Sequence, residues 1–267
     1  MNYIALDYVD LALAATLLLL HAALSLFLQL GLGKRLGIAA IRMTLQLAMI
    51  GFVLNALFEL ASPLWTGLAA VLMVLFAGRE VAARQTHRFR GLGTQGLGTA
   101  TMLIAGASVT GLALTTQIQP DPWYDPRYAL PVLGMVLGNT MNGVALGLVR
   151  LLSTAAREKG AIEAQLALGQ DRRHAFLPLV REACRAGLMP IVNSMSAMGI
   201  VALPGMMTGQ ILAGVDPLDA VKYQIFIVFL LAGATGIGVL SAVFGAVMRL
   251  TDHRHRLRLD RLVRTET

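Results

Sequence analysis

The sequence predicts an all-α polytopic membrane bundle of about seven transmembrane helices, N-terminus outside and C-terminus inside, with a long inner loop before the sixth span. Three observations predict it. Of 267 residues, 56% are hydrophobic and 14% charged, against about 25% charged in soluble domains. Mean hydropathy is +0.68, so neither one soluble domain nor a disordered chain fits. Seven charge-poor stretches reach the roughly 20 residues that cross a bilayer: 11–33, 36–58, 60–78, 91–120, 128–149, 187–215 and 223–248. Finally, of the 22 Lys and Arg only Arg127 and Lys222 fall outside when the N-terminus is placed outside, which satisfies the positive-inside rule. The charge of +7 thus reads as an orientation signal facing anionic lipid, and not as a nucleic-acid footprint, which needs a basic face on a folded domain. The chain divides into one membrane domain, 1–249, with an inner loop at 150–186, and a basic tail, 250–267.

Each segment carries its own signals. Asp7 and Asp10 precede the first span, unlike the positive n-region of a secretory signal. His21 lies mid-span without an ionisable neighbour and reads as a helix-packing residue. In the second span Arg42 and Gln46 are one turn apart on one face. They either form a polar face toward the bundle or, for Arg42, snorkel to the interface. The run Gly91-Leu-Gly93-Thr-Gln-Gly96 matches a dinucleotide fingerprint in letters only: it opens a membrane span with no preceding strand. It reads as close helix packing, as do Gly134-x-x-x-Gly138 and Ser241-x-x-x-Gly245. Cys184 stands alone, so neither an intrachain disulfide nor a cysteine metal pattern is available, and it reads as a small buried hydrophobe.

No span centre carries Asp or Glu, the residues that proton-coupled carriers rely on. No P-loop occurs, and no Ser–His or G-x-S-x-G arrangement suggests a membrane-embedded hydrolase. An energy source outside the chain is implied. An ATPase-independent carrier or channel, or a scaffold or receptor without transport, remains the alternative.

The inner loop reads as two short amphipathic helices. The first is 158–168, with Gly169 as its stop. Asp171 caps the second, and Pro178 interrupts it. In the sixth span Pro204-Gly205 removes a backbone hydrogen bond and adds freedom. Irregular backbone at membrane depth must be buried in protein or line a cavity, so a kink facing the bundle interior is expected there. Spans five and six hold seven of the 13 Met. Met135, Met141, Met189, Met195, Met198, Met206 and Met207 are joined there by Asn139, Asn142, Asn193, Thr208 and Gln210. They either fill gaps in a moving core or line a weak pathway. Met135, Met195, Met198, Met206 and Met207 are candidate soft-metal donors, since thioethers suit Cu(I) better than Fe(II). The amides are either pathway groups or interhelical glue.

Within the loop, Ile162-Glu163-Ala164-Gln165-Leu166-Ala167-Leu168-Gly169 resembles the E-A-A-x-x-x-G loop of ABC-transporter permeases. Gln165 replaces the second Ala, and Phe176-Leu177-Pro178 comes early for that family's I-x-L-P. A surface helix lying on lipid is the competing reading. The run Leu203-Pro204-Gly205-Met206-Met207-Thr208-Gly209-Gln210-Ile211-Leu212-Ala213-Gly214 is more specific. With the motifs of span five and Arg42-x-x-x-Gln46-Leu47, it resembles the FetB family of permeases, associated with iron export and including plant aluminium-tolerance relatives. The resemblance runs from about Leu11 to Val247. It implies a multi-pass inner (plasma) membrane subunit, itself a homodimer, moving a metal ion or small solute by alternating access. It further implies two copies of a separate ATPase that carry ATP and Mg and engage Ile162, Glu163, Ala164, Leu166, Leu168 and Gly169. No cofactor and no catalytic residue is expected in this chain.

Overall fold

A computed structural model describes residues 7–60 and 62–264. Residues 1–6 of the first segment expected outside, Ala61 in the second connection expected outside, and 265–267 of the tail lie outside the described residues. The chain divides into two compact units after Leu60.

The first unit is a helical hairpin, α1 (Tyr8–Phe27) and α2 (Gly33–Leu60). Asp7 caps α1 in a capping box: the Asp7 side chain accepts from the helix's first turn while the Asp10 carboxylate accepts from the Asp7 backbone N–H at 2.9 Å. The turn back uses Gln29 and Gly31 in left-handed conformations, with Ser25 Oγ accepting from the Leu32 N–H at 3.1 Å. Both helices are predominantly apolar and leave most of those side chains exposed, as spans facing lipid do, with Arg42 and Gln46 among the polar exceptions on α2.

The second unit holds α3 (Pro63–Ala83), β1 (His87–Phe89), α4 (Gly93–Leu112), α5 (Pro126–Arg157), α6 (Lys159–Ala167), α7 (Arg172–Ala197), α8 (Gly205–Leu212), α9 (Pro217–Leu250) and β2 (Leu262–Arg264). A π-helical turn, Ala113–Ile118, extends α4. Among the described residues six helices are long and apolar enough to span a membrane: α1, α2, α3, α4 with its extension, α5 and α9. The protein is a helical membrane bundle.

The expected sixth span is not one helix. Its first half fuses with the second loop helix into α7, which runs unbroken through Pro178 and Pro190. Pro178 therefore does not interrupt it: Ala175, Phe176, Leu179 and Val180 are buried along that stretch, and their packing outweighs one lost backbone bond. The chain unwinds at 198–204 instead. Gly199 takes φ +85 and its N–H donates to Ala202 O at 3.0 Å. Pro204 then precedes the first residue of α8 in an extended conformation. The irregular backbone expected at Pro204-Gly205 is present, but it does not face a buried interior, since Ile200 is 93% and Val201 83% exposed in the single chain. Span five also outruns its expected end at 149: Leu151, Leu152 and Ala155 are fully buried, carrying α5 to Arg157.

Two apolar clusters hold the second unit together. One, at the end that carries α6, gathers Val81, Leu148, Leu152, Ile162, Phe176 and Val243. The other gathers Val109, Val136, Ile191 and Leu231. Between them α5 and α7 come close enough that a Cβ on Gly143 would meet Gly187 O at 2.7 Å, and one on Gly187 would meet Gly143 O at 2.7 Å. The expected Gly134/Gly138 seam is looser, with only Met73 Cε near Gly134 and open space at Gly138, whereas Gly245 does abut Leu97 at 2.7 Å. Gly143→Ala and Gly187→Ala are each expected to force the backbones apart at a cost of about 1–3 kcal/mol. Gly138→Ala, facing open space, is the control. Thermal unfolding in detergent checks this, and equal midpoints for all three variants would contradict it.

Candidate functional site

The helix α6 is short, exposed and tightly terminated. Ile162 is 2% exposed and Leu166 packs beside it, both against the cluster that holds Phe176. Glu163, Ala164, Leu168 and Gly169 face outward, Leu168 at 83% exposure. Lys159 and Glu163 pair across one turn at 3.7 Å, an exposed pair of little energetic weight. The stop at Gly169 is a Schellman motif: Gln170 N–H donates to Gln165 O and Gly169 N–H to Leu166 O, both 3.1 Å, with Gly169 at φ +87. Two residues later Asp171 caps α7, its carboxylate accepting from the His174 N–H at 2.9 Å. That bond holds the Asp171 carboxyl below the usual carboxylate range. Only residues 168–171, ordered by this stop and this cap, separate the two helices.

The residues after α9 fold against the same end. β2 pairs antiparallel with β1, Phe89 opposite Leu262, so a three-residue strand does precede the Gly91–Gly96 run, against expectation, but it pairs with the tail and not within a βαβ unit. The Asp252 carboxylate accepts from the backbone N–H groups of Arg254 and Arg256 at 2.9 Å and from Arg256 Nε at 2.8 Å. These bonds, Arg256 foremost, hold its pKa at about 2. His255 Nδ1 accepts from the Arg172 N–H at 3.2 Å, tying the turn to the start of α7. Glu163, Leu166 and Ala167 of α6 share a recess with Arg254–Leu257.

At the other end of α7, a cavity of about 520 Å³ opens beside the unwound 198–204 segment. It is lined by Met195, Met198 and Pro204, by Met207 of α8, and by Gln224 and Phe229 of α9 among others. Four sequence candidates therefore meet there. Met135 and Met206 do not line it but pack against the cluster around Ile191, and Met141 packs against the other cluster. Gly205, Thr208 and Gln210 lie on α8: the Thr208 hydroxyl donates to Pro204 O at 3.1 Å, and Gln210 Oε1 is buried with no hydrogen-bond partner. Asn193 is exposed on α7, and Arg42 and Gln46 are exposed on α2 within the first unit.

The amides of α5 belong to a separate, narrower recess of about 60 Å³, shared with Gly187, Pro190, Ser194 and Thr235. Asn139 Nδ2 donates to Met135 O at 2.9 Å. Asn142 Oδ1 accepts from the guanidinium of Arg84, the C-cap of α3, at 2.6 Å. Sequence reasoning missed Arg84, because its partner is 58 residues away. It also missed Gln224, an amide among apolar neighbours whose position at the start of the last span was the available signal. Among the described residues no group of three or more His, Cys, Asp or Glu comes together as a metal site. Cys184 is half-buried against the cluster around Phe176. His21 is exposed on α1, with no packing burial within the first unit.

Comparison with known proteins places this architecture. Residues 8–251 match the model of an uncharacterised protein family, UPF0014. The chain belongs to the UPF0014 family. A UPF0014 membrane protein of Synechocystis sp. (strain ATCC 27184 / PCC 6803 / Kazusa) is 38% identical over 95% of this chain and 96% of its own length. The protein ALUMINUM SENSITIVE 3 of Arabidopsis thaliana is 33% identical over 87% of this chain and 83% of its own. The probable iron export permease protein FetB of Escherichia coli (strain K12) is 31% identical over 95% of each. No solved structure matches the chain. The two groups to which the span-six run pointed are thus both UPF0014 relatives of this chain.

Two outcomes test the local geometry. Gly169→Ala must hold a Cβ in a left-handed conformation, costing about 1–2 kcal/mol. Faster amide hydrogen exchange is expected over 164–170, with the bundle unchanged. Asp252, depressed from an ordinary value near 3.9 to about 2, holds the 251–264 turn fully above about pH 4 and loses that contribution as pH falls through about 2. At neutral pH Asp252→Asn is expected to speed proteolysis of the segment after Leu250, and an unchanged cleavage rate would contradict the assignment.

Proposed function

We propose that this chain is the permease subunit of an ABC transporter, exporting a metal ion by alternating access. The energy comes from ATP hydrolysis on a separate ATPase subunit that docks on α6. The observation that carries the reading is the continuity of α7: one 26-residue helix begins at the Asp171 cap beside α6 and ends at the unwound segment beside the cavity. At 1.5 Å per residue it is about 39 Å long, so a push on α6 reaches the cavity through a single rod.

Further features support it. Exposed Leu168 and Ala164 on a helix anchored by Ile162 offer an apolar knob to a partner's groove. The basic residues of the second unit gather toward the α6 end, leaving Arg127 and Lys222 elsewhere, which under the positive-inside rule supports a cytosolic position for that end. The exposed, irregular backbone at Ile200 and Val201 needs covering in a bilayer; a second copy of the permease supplies that cover, and two ATPase copies then complete the assembly. The name of the E. coli relative, with its iron export, supports a metal cargo and the export direction.

The test is ATP turnover by the purified complex in proteoliposomes. Burying a leucine contributes about 1.5–3 kcal/mol, so Leu168→Asp is expected to lower permease-stimulated turnover about tenfold or more. Gly169→Val and Glu163→Ala should lower it less. Lys222→Gln, at the opposite end, should leave it unchanged. Wild-type turnover in Leu168→Asp and Gly169→Val would overturn the assignment of α6.

A further inference from the structure

We propose that the cavity at the helix break binds a soft monovalent metal ion, Cu(I) in chemical class, through the thioethers of Met195, Met198 and Met207. This deepens the permease reading and rests on it for the role of cargo.

Three facts converge. First, the break gathers thioethers from two elements. Met195 is in the last turn of α7, Met198 is its C-terminal cap, and Met207 is in the first turn of α8; all three line one cavity. Without the break, 198 and 207 would sit on a single helix more than two turns apart, so the unwinding is what brings them to one space. Second, the donors are of one kind. Thioether sulfur is a soft, neutral ligand that selects Cu(I)-like ions over Mg, Ca, Mn or Fe(II). The described residues provide no cluster of His, Cys, Asp or Glu for a harder ion. Third, no acidic side chain lines the cavity. The desolvation cost of an ion grows with the square of its charge, so a divalent ion would lose roughly four times what a monovalent one does, with no carboxylate to offset it. The ends of α7 and α8 both meet the cavity, and their partial charges oppose. The sulfur atoms, not the dipoles, decide the selectivity. Gln224, also on the wall, adds one neutral amide.

The remaining methionine candidates separate from this set. Met135 and Met206 pack against a buried apolar cluster and serve as internal controls. Leucine is close to methionine in volume, and such swaps usually cost under about 1.5 kcal/mol, so sulfur can be removed while the packing stays.

The experiment is equilibrium dialysis of the purified full-length protein in detergent with Ag(I), the redox-inert analogue of Cu(I), and in parallel with Fe(II) under anaerobic conditions. The expected result is one tight Ag(I) per chain. It should weaken at least tenfold in each of Met195→Leu, Met198→Leu and Met207→Leu, and vanish in the triple variant, while Met135→Leu/Met206→Leu retains it. Should the triple variant fail to fold, judged by its unfolding midpoint, the three single variants carry the decision. Ag(I) bound equally by wild type and the cavity variants, or lost equally in the Met135/Met206 control, overturns the site. So does an Fe(II) affinity exceeding that for Ag(I) and falling with the same substitutions. Leu168→Asp is predicted to keep Ag(I) binding. Wild-type ATP turnover in Leu168→Asp with thioether-dependent Ag(I) binding intact therefore counts against the permease reading alone, and lowered turnover in Leu168→Asp with no thioether-dependent Ag(I) binding in the unaltered chain counts against this site alone.

Discussion

The backbones of α5 and α7 meet at Gly143 and Gly187, where each glycine leaves its missing Cβ to the other's carbonyl oxygen at 2.7 Å. Inside a bilayer the lipid is as apolar as any side chain, so helices associate by close packing and not by escape from water. Small residues that let backbones touch are therefore what fix α7 in the bundle. Val239 of α9 closes the contact from the third side, its methyls 2.9 and 3.1 Å from a Cβ on Gly187. Farther along, the Arg150–Glu182 pair joins the same two helices. Pro178 and Pro190 are accommodated within α7 because this packing, and not helix propensity, keeps the helix continuous.

Sequence patterns disclosed what is local. Gly169 as a stop and Asp171 as a cap were legible because both act through backbone groups within a few residues. The alternation of charge-poor stretches with basic clusters disclosed the bundle for the same reason. The interruption of span six was legible from Pro204, but its extent was not: it starts at Met198, six residues earlier, where Gly199 turns left-handed and its N–H donates to Ala202 O. The continuity of α7 was hidden because Phe176, Leu179 and Val180 bury against partners far away in sequence. The sorting of methionines was hidden too, since a break resets the rotation of every residue after it, sending Met207 to the cavity and Met206 to the core.

The contact at Gly187 also divides α7 unequally. From Arg172 to Gly187 is 15 residues and from Gly187 to Ala197 is 10, arms of about 22 and 15 Å. A rigid helix held at that point moves at the cavity end by about two-thirds of what it moves at the α6 end, and in the opposite sense. The narrow amide recess lies on the pivot itself, bounded by Asn142, Gly143, Gly187 and Pro190, so it changes least as the helix tilts. The thioether cavity lies at the tip of the shorter arm, where Met195 and Met198 ride on α7 and Met207 does not. Tilting the helix therefore changes the spacing between two thioethers and the third. In the proposed site that spacing sets how many thioethers a soft ion meets at once. The cavity wall carries no charged residue with which to expel a cation, so in the site proposed above that change of spacing is what would weaken the hold on the ion.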